Sequence, residues 1–234
     1  TLNLRLWEVS TGRQVRSFLG HTDWVNSVMF SPDGRYALSG SADKTIRLWD
    51  ISSGREIRSF SVQSHKEPVY SVTFSPDGKY VLADPNGKTL KLWSVATGRE
   101  VRSFSGNTGR AYSVSFSPDG RYAIAGCGDK TIKLWEANTG RLIYSISGHK
   151  GKVNSVVFSS DGRYVLSGAN DKTIKLWDVF RGREIRSFSG HASIVKFTTF
   201  SPDGRYVLSG SGDKTFSIWD ASTGRELHSF SGHK

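Results

Sequence analysis

Apolar and polar residues alternate along short stretches of this chain, and turn residues separate the stretches at regular intervals. Residues 25–30 read VNSVMF, 36–40 YALSG, 44–50 KTIRLWD and 55–60 REIRSF. In the third stretch Ile46 and Leu48 alternate with Arg47 and Trp49. Between the first and second lies SPDGR, with Pro, Asp and Gly where a type I turn closing on a left-handed glycine wants them. SAD and SSG make the next two connections. Period-two alternation between turn signals predicts antiparallel hairpins. No segment has helical periodicity.

The four-strand pattern repeats. Trp stands at 7, 49, 93, 135, 177 and 219 in nearly the same context, at spacings of 42 and once 44. Full units cover 24–60, 69–104, 111–146, 152–188 and 194–230, and residues 2–18 supply a third and a fourth strand alone. A four-stranded sheet of this size has two apolar faces and cannot stand by itself. Radial packing of successive sheets buries both. The expectation is a single all-β domain over 1–234 with twenty-two strands.

Composition agrees. The chain is 36% hydrophobic, with seven Trp, eight Tyr and thirteen Phe, enough to fill a core. Twenty-five Gly against six Pro indicate tight turns rather than disorder. No apolar run approaches the ~20 residues of a membrane helix, and no signal peptide is visible. The lone Cys127 allows neither an intrachain disulfide nor a cysteine metal cluster. That fits a reducing, cytoplasmic setting. The chain opens TLNLRLWEVS, without Met and already in a strand, which reads as other than a native start.

Three motifs now combine: Gly-His before the first strand (20–21, 148–149, 190–191, 232–233), SPDGR, and Trp-Asp closing the third strand (49–50, 177–178, 219–220). Together with the period they resemble the WD-repeat family, over essentially the whole chain. The resemblance implies a β-propeller of four-stranded antiparallel blades: five full blades plus an N-terminal half blade. It also implies that a ring closes by joining the two chain ends in one blade. His233 then looks like the partner of Trp7, in a blade short of two strands. The expectation is an array covalently continuous with further propeller strands or an effector domain, with six or seven blades when complete.

Ser, His and Asp at fixed positions suggest a hydrolytic triad. Yet the set His21, Ser39, Asp43, Trp49 recurs as His149, Ser167, Asp171, Trp177 and as His191, Ser209, Asp213, Trp219. An active site is built once. The family resemblance implies instead a buried hydrogen-bond chain from Asp through His and Ser to the Trp N–H, which rigidifies a blade. Two blades depart. The second has Ala83 for Ser and Gly87 for Asp, keeping His65 and Trp93; the third has Asn107 for His and Ala125 for Ser, keeping Asp129 and Trp135. Those blades should be less rigidly tied, through drift or through alteration for binding.

The repeats also differ among themselves in two places: the approach to the first strand (TDWVN, KEPVY, TGRAY, KGKVN, ASIVK) and the loop before the third (GSADK, DPNGK, GCGDK, GANDK, GSGDK). In an antiparallel blade both lie at one end, here called the leading end, with SPDGR and the turn after Trp at the far end. Variable loops on a constant scaffold carry specificity, and in the WD-repeat family this face commonly holds the partner. By position, the candidate contacts are Trp24, Asn26, Tyr70, Asn86, Arg110, Tyr112, Lys152, Asn154, Asn170, Ile194 and Lys196. The set is rich in interface-anchoring types, and Trp24 is the Trp that the repeated position does not explain. Ordinary surface or channel lining is the alternative for about half of them.

Net charge is +11, mostly from GRY, KTIK and GREIRSF in the scaffold. Charges on an exposed edge strand oppose aggregation; Arg110, Lys152 and Lys196 could face an acidic partner. The function read from these residues is a non-catalytic scaffold or sensor domain for a protein or peptide, with no cofactor, no metal and no membrane. Two alternatives stay open: a polyanion or nucleic-acid binding module, though no recognition motif accompanies the charge, and an amplified or engineered array without a selected ligand. An enzyme lacks a phosphate loop, a metal-spaced His cluster or an activated nucleophile, and Cys127 has no evident base beside it.

Overall fold

The alternating segments become twenty-two strands in the computed structural model, which describes residues 3–60, 67–106 and 109–232. A half blade pairs β1 (Leu4–Trp7) with β2 (Gln14–Phe18). Blade 1 is β3 (Val25–Phe30), β4 (Tyr36–Ser41), β5 (Ile46–Asp50) and β6 (Glu56–Phe60). Blade 2 is β7 (Val72–Phe74), β8 (Tyr80–Ala83), β9 (Leu90–Ser94) and β10 (Glu100–Phe104). Blade 3 is β11 (Ala111–Phe116), β12 (Tyr122–Cys127), β13 (Ile132–Glu136) and β14 (Leu142–Ile146). Blade 4 is β15 (Val153–Phe158), β16 (Tyr164–Ala169), β17 (Thr173–Asp178) and β18 (Arg183–Ser189). Blade 5 is β19 (Val195–Phe200), β20 (Tyr206–Ser211), β21 (Thr215–Asp220) and β22 (Glu226–Ser231). Each sheet keeps sequence order from first strand to fourth. The architecture is all-β, of the β-propeller class. Among the described residues no helix is long and apolar enough to cross a membrane.

The chain divides into two compact units, residues 1–103 and 104–234. In the first, Leu38, Ile46, Leu48 and Phe60 of blade 1 pack on Val69, Val72, Phe74, Val81 and Trp93 of blade 2. In the second, Ile124, Ile132, Leu134 and Ile146 of blade 3 pack on Val153, Val156, Phe158 and Trp177 of blade 4. Leu166, Ile174, Leu176 and Phe188 of blade 4 then pack on Val195, Val207 and Trp219 of blade 5. Each such side chain contributes about 1.5–3 kcal/mol on full burial. The repeated Trp is the centre of this packing. Trp49, Trp93, Trp135, Trp177 and Trp219 are fully buried. Each of three meets the last-strand Phe of the preceding blade: Phe18–Trp49 at 6.0 Å, Phe60–Trp93 at 6.4 Å and Phe188–Trp219 at 6.1 Å between ring centres. Such tilted and edge-on pairs add about 0.5–1.5 kcal/mol beyond area.

Two sequence details fix the spacing between blades. The glycine of YALSG and YVLSG leaves room for the next blade: a Cβ on Gly40 would lie 2.8 Å from Val69 Cγ1, and on Gly168 2.6 Å from Val195 Cγ1. The serine of the first strand bonds across the gap. Ser27 Oγ accepts from Val72 N (3.2 Å), Ser113 Oγ from Val156 N (3.0 Å) and Ser155 Oγ from Thr198 N (3.0 Å).

Among the described residues the half blade consists of β1 and β2, and the β3 face beside it is partly open. Val28 and Phe30 are 54% and 55% exposed, and Trp7 is 50% exposed. An open cavity of about 300 Å³ lies there, lined also by Leu4, Leu6 and Phe18.

The far end of every blade satisfies itself. In blade 1, Ser31 Oγ donates to Asp33 Oδ1 (2.5 Å) and accepts from Tyr36 N (2.9 Å), while Arg35 N donates to Asp33 Oδ1 (3.1 Å). Gly34 closes the turn at φ 70°. The same bonds recur around Asp77, Asp119, Asp161 and Asp203. This turn chemistry needs Ser, Asp and Gly at those spacings, which explains the constancy of SPDGR.

Candidate functional site

Two arrangements in this molecule could carry chemistry: the repeated Asp-His-Ser-Trp set and the variable surface above it. In blade 1, His21 Nδ1 lies 2.7 Å from Asp43 Oδ2, and His21 Nε2 lies 2.7 Å from Ser39 Oγ. Trp49 Nε1 donates to Ser39 Oγ at 2.8 Å. Blade 4 repeats this with His149, Asp171, Ser167 and Trp177 (2.9, 2.7 and 2.7 Å), and blade 5 with His191, Asp213, Ser209 and Trp219 (3.0, 2.7 and 2.8 Å). Burial holds His21 and His149 below the usual imidazole range, against the pull of Asp43 and Asp171. A neutral ring sets the proton order: Nδ1–H donates to the carboxylate and the Ser hydroxyl donates to Nε2. Burial alone would raise the Asp43 carboxyl, but hydrogen bonds from Thr45, His21 and the Thr22 N–H outweigh it and hold it at about 2. Ser39, Ser167 and Ser209 are fully buried, with the Trp N–H already on the oxygen. The chain of bonds is a brace under the leading end, and its hydroxyls have no room for a substrate.

Blade 3 holds its Trp differently, and blade 2 builds a different loop. His65 and Asn107 lie outside the described residues. In blade 3, Trp135 Nε1 donates to the backbone oxygen of Ser105 (2.8 Å). Lys133 takes the partner's place beside Asp129: its Nζ lies 2.7 Å from Asp129 Oδ2 and 2.7 Å from Thr131 Oγ1, and the side chain is almost wholly buried. The corresponding cation in other blades pairs with a fourth-strand glutamate, as in Arg47–Glu56 and Lys91–Glu100. Blade 3 has Leu142 at that glutamate position, which leaves Lys133 to turn inward. In blade 2, Asp84 stands at the glycine position and its Oδ1 accepts from Gly87 N (2.7 Å), while Asn86 Oδ1 accepts from Lys88 N and Thr89 N (3.1 and 3.0 Å). Asn86 therefore shapes its own loop. Cys127 is buried at the end of β12.

At the leading end the two variable segments are joined by backbone bonds. Ala42 N donates to Trp24 O, Gly128 N to Arg110 O, Asn170 N to Lys152 O and Gly212 N to Ile194 O, each at 2.8 Å. The residue after each of these carbonyls begins the strand, and the next is the extra residue of a β-bulge: Asn26, Tyr112, Asn154 and Lys196. A bulge re-aims its side chain, and simple alternation does not reveal it. Asn26 Nδ2 donates to Val69 O (3.0 Å) and Asn154 Nδ2 to Val195 O (2.8 Å) and Asn170 Oδ1 (2.8 Å). These two asparagines tie a blade to its successor. Tyr112 and Lys196 stand at the same bulge without an amide. Lys152 Nζ sits 3.9 Å above the Tyr112 ring, a cation–π contact. Trp24 is 69% exposed and Ile194 36%. Tyr70 and Arg110 are half-buried.

The lysine of KTIK or KTIR that reads in sequence as part of the third strand lies before that strand in the structure. Lys44, Lys130, Lys172 and Lys214 sit at the tip of the loop with φ of 70°, 71°, 69° and 69°. This left-handed conformation costs a non-glycine residue roughly 1–2 kcal/mol. All four are exposed. In blade 2 the positive φ falls on Gly87 instead, yet Lys88 is still a lysine. So turn geometry alone does not explain the residue. The acidic neighbours Asp171 and Asp213 are bonded inward to their histidines, which leaves the leading end of blades 4 and 5 with exposed Lys150, Lys172, Lys196 and Lys214. Among the described residues no cluster of His, Cys, Asp and Glu could hold a metal ion.

The family model described as "WD domain, G-beta repeat" matches residues 12–50, 54–94, 98–136, 140–178 and 182–220. The chain is also similar to short parts of curated proteins. It is 49% identical over 41 residues to Nuclear distribution protein PAC1 of Coccidioides posadasii, covering 18% of this chain and 9% of that protein. It is 44% identical over 43 residues to Nuclear distribution protein nudF of Aspergillus niger, covering 18% and 10%. It is 42% identical over 36 residues to the Lissencephaly-1 homolog of Heterostelium pallidum, covering 15% and 9%. Each likeness is about one blade long, so the chain spans only about a tenth of the length of these relatives.

Proposed function

The chain belongs to the WD domain, G-beta repeat family, and from that premise we propose that it is a non-catalytic scaffold holding a protein or peptide partner at the leading ends of its blades. The observation that carries this reading is the bonding of the two variable segments into one surface, by Ala42 N to Trp24 O in blade 1 and its equivalents in blades 3, 4 and 5. Variation, exposure and anchor residue types coincide there. Trp24 presents a large apolar ring to solvent. Tyr112 and Lys152 form a rigid pair on the second unit, and a pre-organised pair loses less freedom when a partner settles on it. The relatives named as nuclear distribution proteins support the blade as a unit; a likeness one blade long does not carry their task to this chain.

Affinity capture from an extract of the source organism tests the reading. Trp24→Ala and, separately, Lys152→Ala should each lower the recovered partner about tenfold. Arg121→Ala, at the far end, should leave recovery unchanged. Full recovery with both leading-end variants would refute the assignment of the face.

A further inference from the structure

Blade 3 departs from the other blades along its outer rim. β14 is the terminal strand of its sheet, and among the described residues no backbone bond joins residues 142–146 to any strand but β13. An open strand edge is a template for pairing, and charged side chains ordinarily guard it. The other outer strands follow that rule, with Arg16 in β2, Arg58 in β6, Arg102 in β10, Arg186 in β18 and Glu226 in β22. β14 reads LIYSI and carries no charge. Leu142 and Tyr144 stand where β6 has Glu56 and Arg58.

The turn that this arginine would meet has changed too. Arg16, Arg58 and Arg186 each lie across the glycine of the next blade's turn after Trp. A Cβ on Gly54, Gly98 or Gly224 would stand 2.8, 2.7 or 3.0 Å from the Cδ of that arginine. Arg58 also donates to the backbone oxygens of Ala96 and Thr97 (3.1 and 3.0 Å). In blade 3 the ring of Tyr144 takes this place, 3.8 Å from a Cβ on Gly182. The turn of blade 4 then reads Phe180-Arg181, where blade 1 has Ser52-Ser53 and blade 5 has Ser222-Thr223. Phe180 is 45% exposed and Tyr144 39%. Phe180 packs edge-on against Tyr122 of blade 3, with ring centres 5.4 Å apart. Both blades at this junction have all four strands. A rim that elsewhere is clamped by arginine is here a set of aromatic rings beside an unguarded strand edge.

We propose that β14 is a docking edge for an extended segment of a partner protein, which joins blade 3 as a fifth strand, sets an apolar side chain against Tyr144 and Phe180, and carries acidic residues at its ends. Strand addition takes affinity from backbone hydrogen bonds and specificity from alternate side chains. The sign of the charge follows from the surroundings. Glu136, Asp178 and Glu184, in the segments flanking Tyr144 and Phe180, already pair with Arg141, Arg181 and Lys175. Arg183 stands exposed beside them, in a chain of net charge +11. Such a chain attracts an acidic segment and repels a second copy of itself. The edge lies apart from the leading ends, and neither assignment depends on the other.

The probe is a fluorescein-labelled peptide, Asp-Glu-Val-Thr-Ile-Thr-Val-Glu-Asp, titrated with the full chain at about 0.15 M salt. Leu142→Glu with Tyr144→Arg restores the residues of β6, leaves the net charge unchanged and returns a glutamate to Lys133, so the fold is kept. It should weaken binding about tenfold or more. Phe180→Ser, the residue of blades 1 and 5 at that place, should weaken it about threefold. A peptide with Pro for the central Ile loses a backbone donor and should bind about tenfold more weakly. A peptide with Lys for the four end acids should do the same. Unchanged binding by the restored chain, equal binding of the Pro or Lys peptide, no saturable binding of the probe, or tighter binding of an oligo-dT of the same charge would each overturn the proposal.

Discussion

The two ends of a blade are built from nearly the same strands and obey opposite rules. At the far end, Ser31, Asp33 and Gly34 close a turn whose donors and acceptors meet one another, and the set recurs with little change in every blade. At the leading end, Trp24, Arg110, Lys152 and Ile194 share a position on the scaffold but little chemistry, and backbone bonds hold them regardless of side chain. A turn whose side chains bond to each other cannot vary without losing those bonds. A position joined to its neighbour through the backbone carbonyl can. The difference between the ends is therefore a difference in what is free to change, and the proposed function assigns the partner to the end that is free to change.

That contrast can be broken by substitutions that separate stability from binding. The largest expected effect lies in the brace beneath the leading end. Ser167→Ala strands the Trp177 N–H and His149 Nε2 in the core, and should lower unfolding stability by about 2–3 kcal/mol in a urea titration, with partner recovery unchanged at saturating folded protein. Next comes the far end. Gly162→Ala forces a side chain onto φ 69° and should cost about 1 kcal/mol, again without touching recovery.

Acid sharpens the comparison further. His21 and His149 are depressed in the fold, so the unfolded chain binds more protons than the folded one once pH falls below the ordinary value of 6.5. Stability should decline from about there downward. It should decline again as pH falls from 3.8 towards about 2, where Asp43 takes up its proton in the fold. His149→Asn should lessen the first decline, leaving the share that His21 contributes, and leave the second. The smallest effect is at a leading-end lysine. Lys172→Gly relieves a left-handed residue at the entropic cost of a glycine, a net gain of about 0.5 kcal/mol, while partner recovery falls. Stability and binding would then move in opposite directions at one residue.

The blade was readable from period-two alternation and the Trp spacing because both follow from backbone geometry and the need to bury a face. The partners of His21, His149 and His191 came from resemblance rather than from spacing, and the distances place those residues together. Other features needed coordinates. Asn26 and Asn154 look like surface residues in sequence, but a bulge turns them onto the next blade. Lys133 reads as one more KTIK lysine, and its inward turn follows from Leu142 at a glutamate position nine residues later, a pairing seen only once the strands are in register. The left-handed lysines were invisible because φ is not written in composition. Their one trace in sequence is blade 2, where a glycine enters the loop and the lysine stays.

Hydrogen–deuterium exchange on the captured complex, comparing free and bound chain, tests whether the leading ends hold the partner. Protection is expected at residues 22–26 and 41–44 of blade 1, or at 150–154, 169–172, 192–197 and 211–216 of blades 4 and 5, with none at the far-end turns 31–35, 159–163 and 201–205. Protection at the far-end turns with unchanged exchange at the leading ends would contradict it.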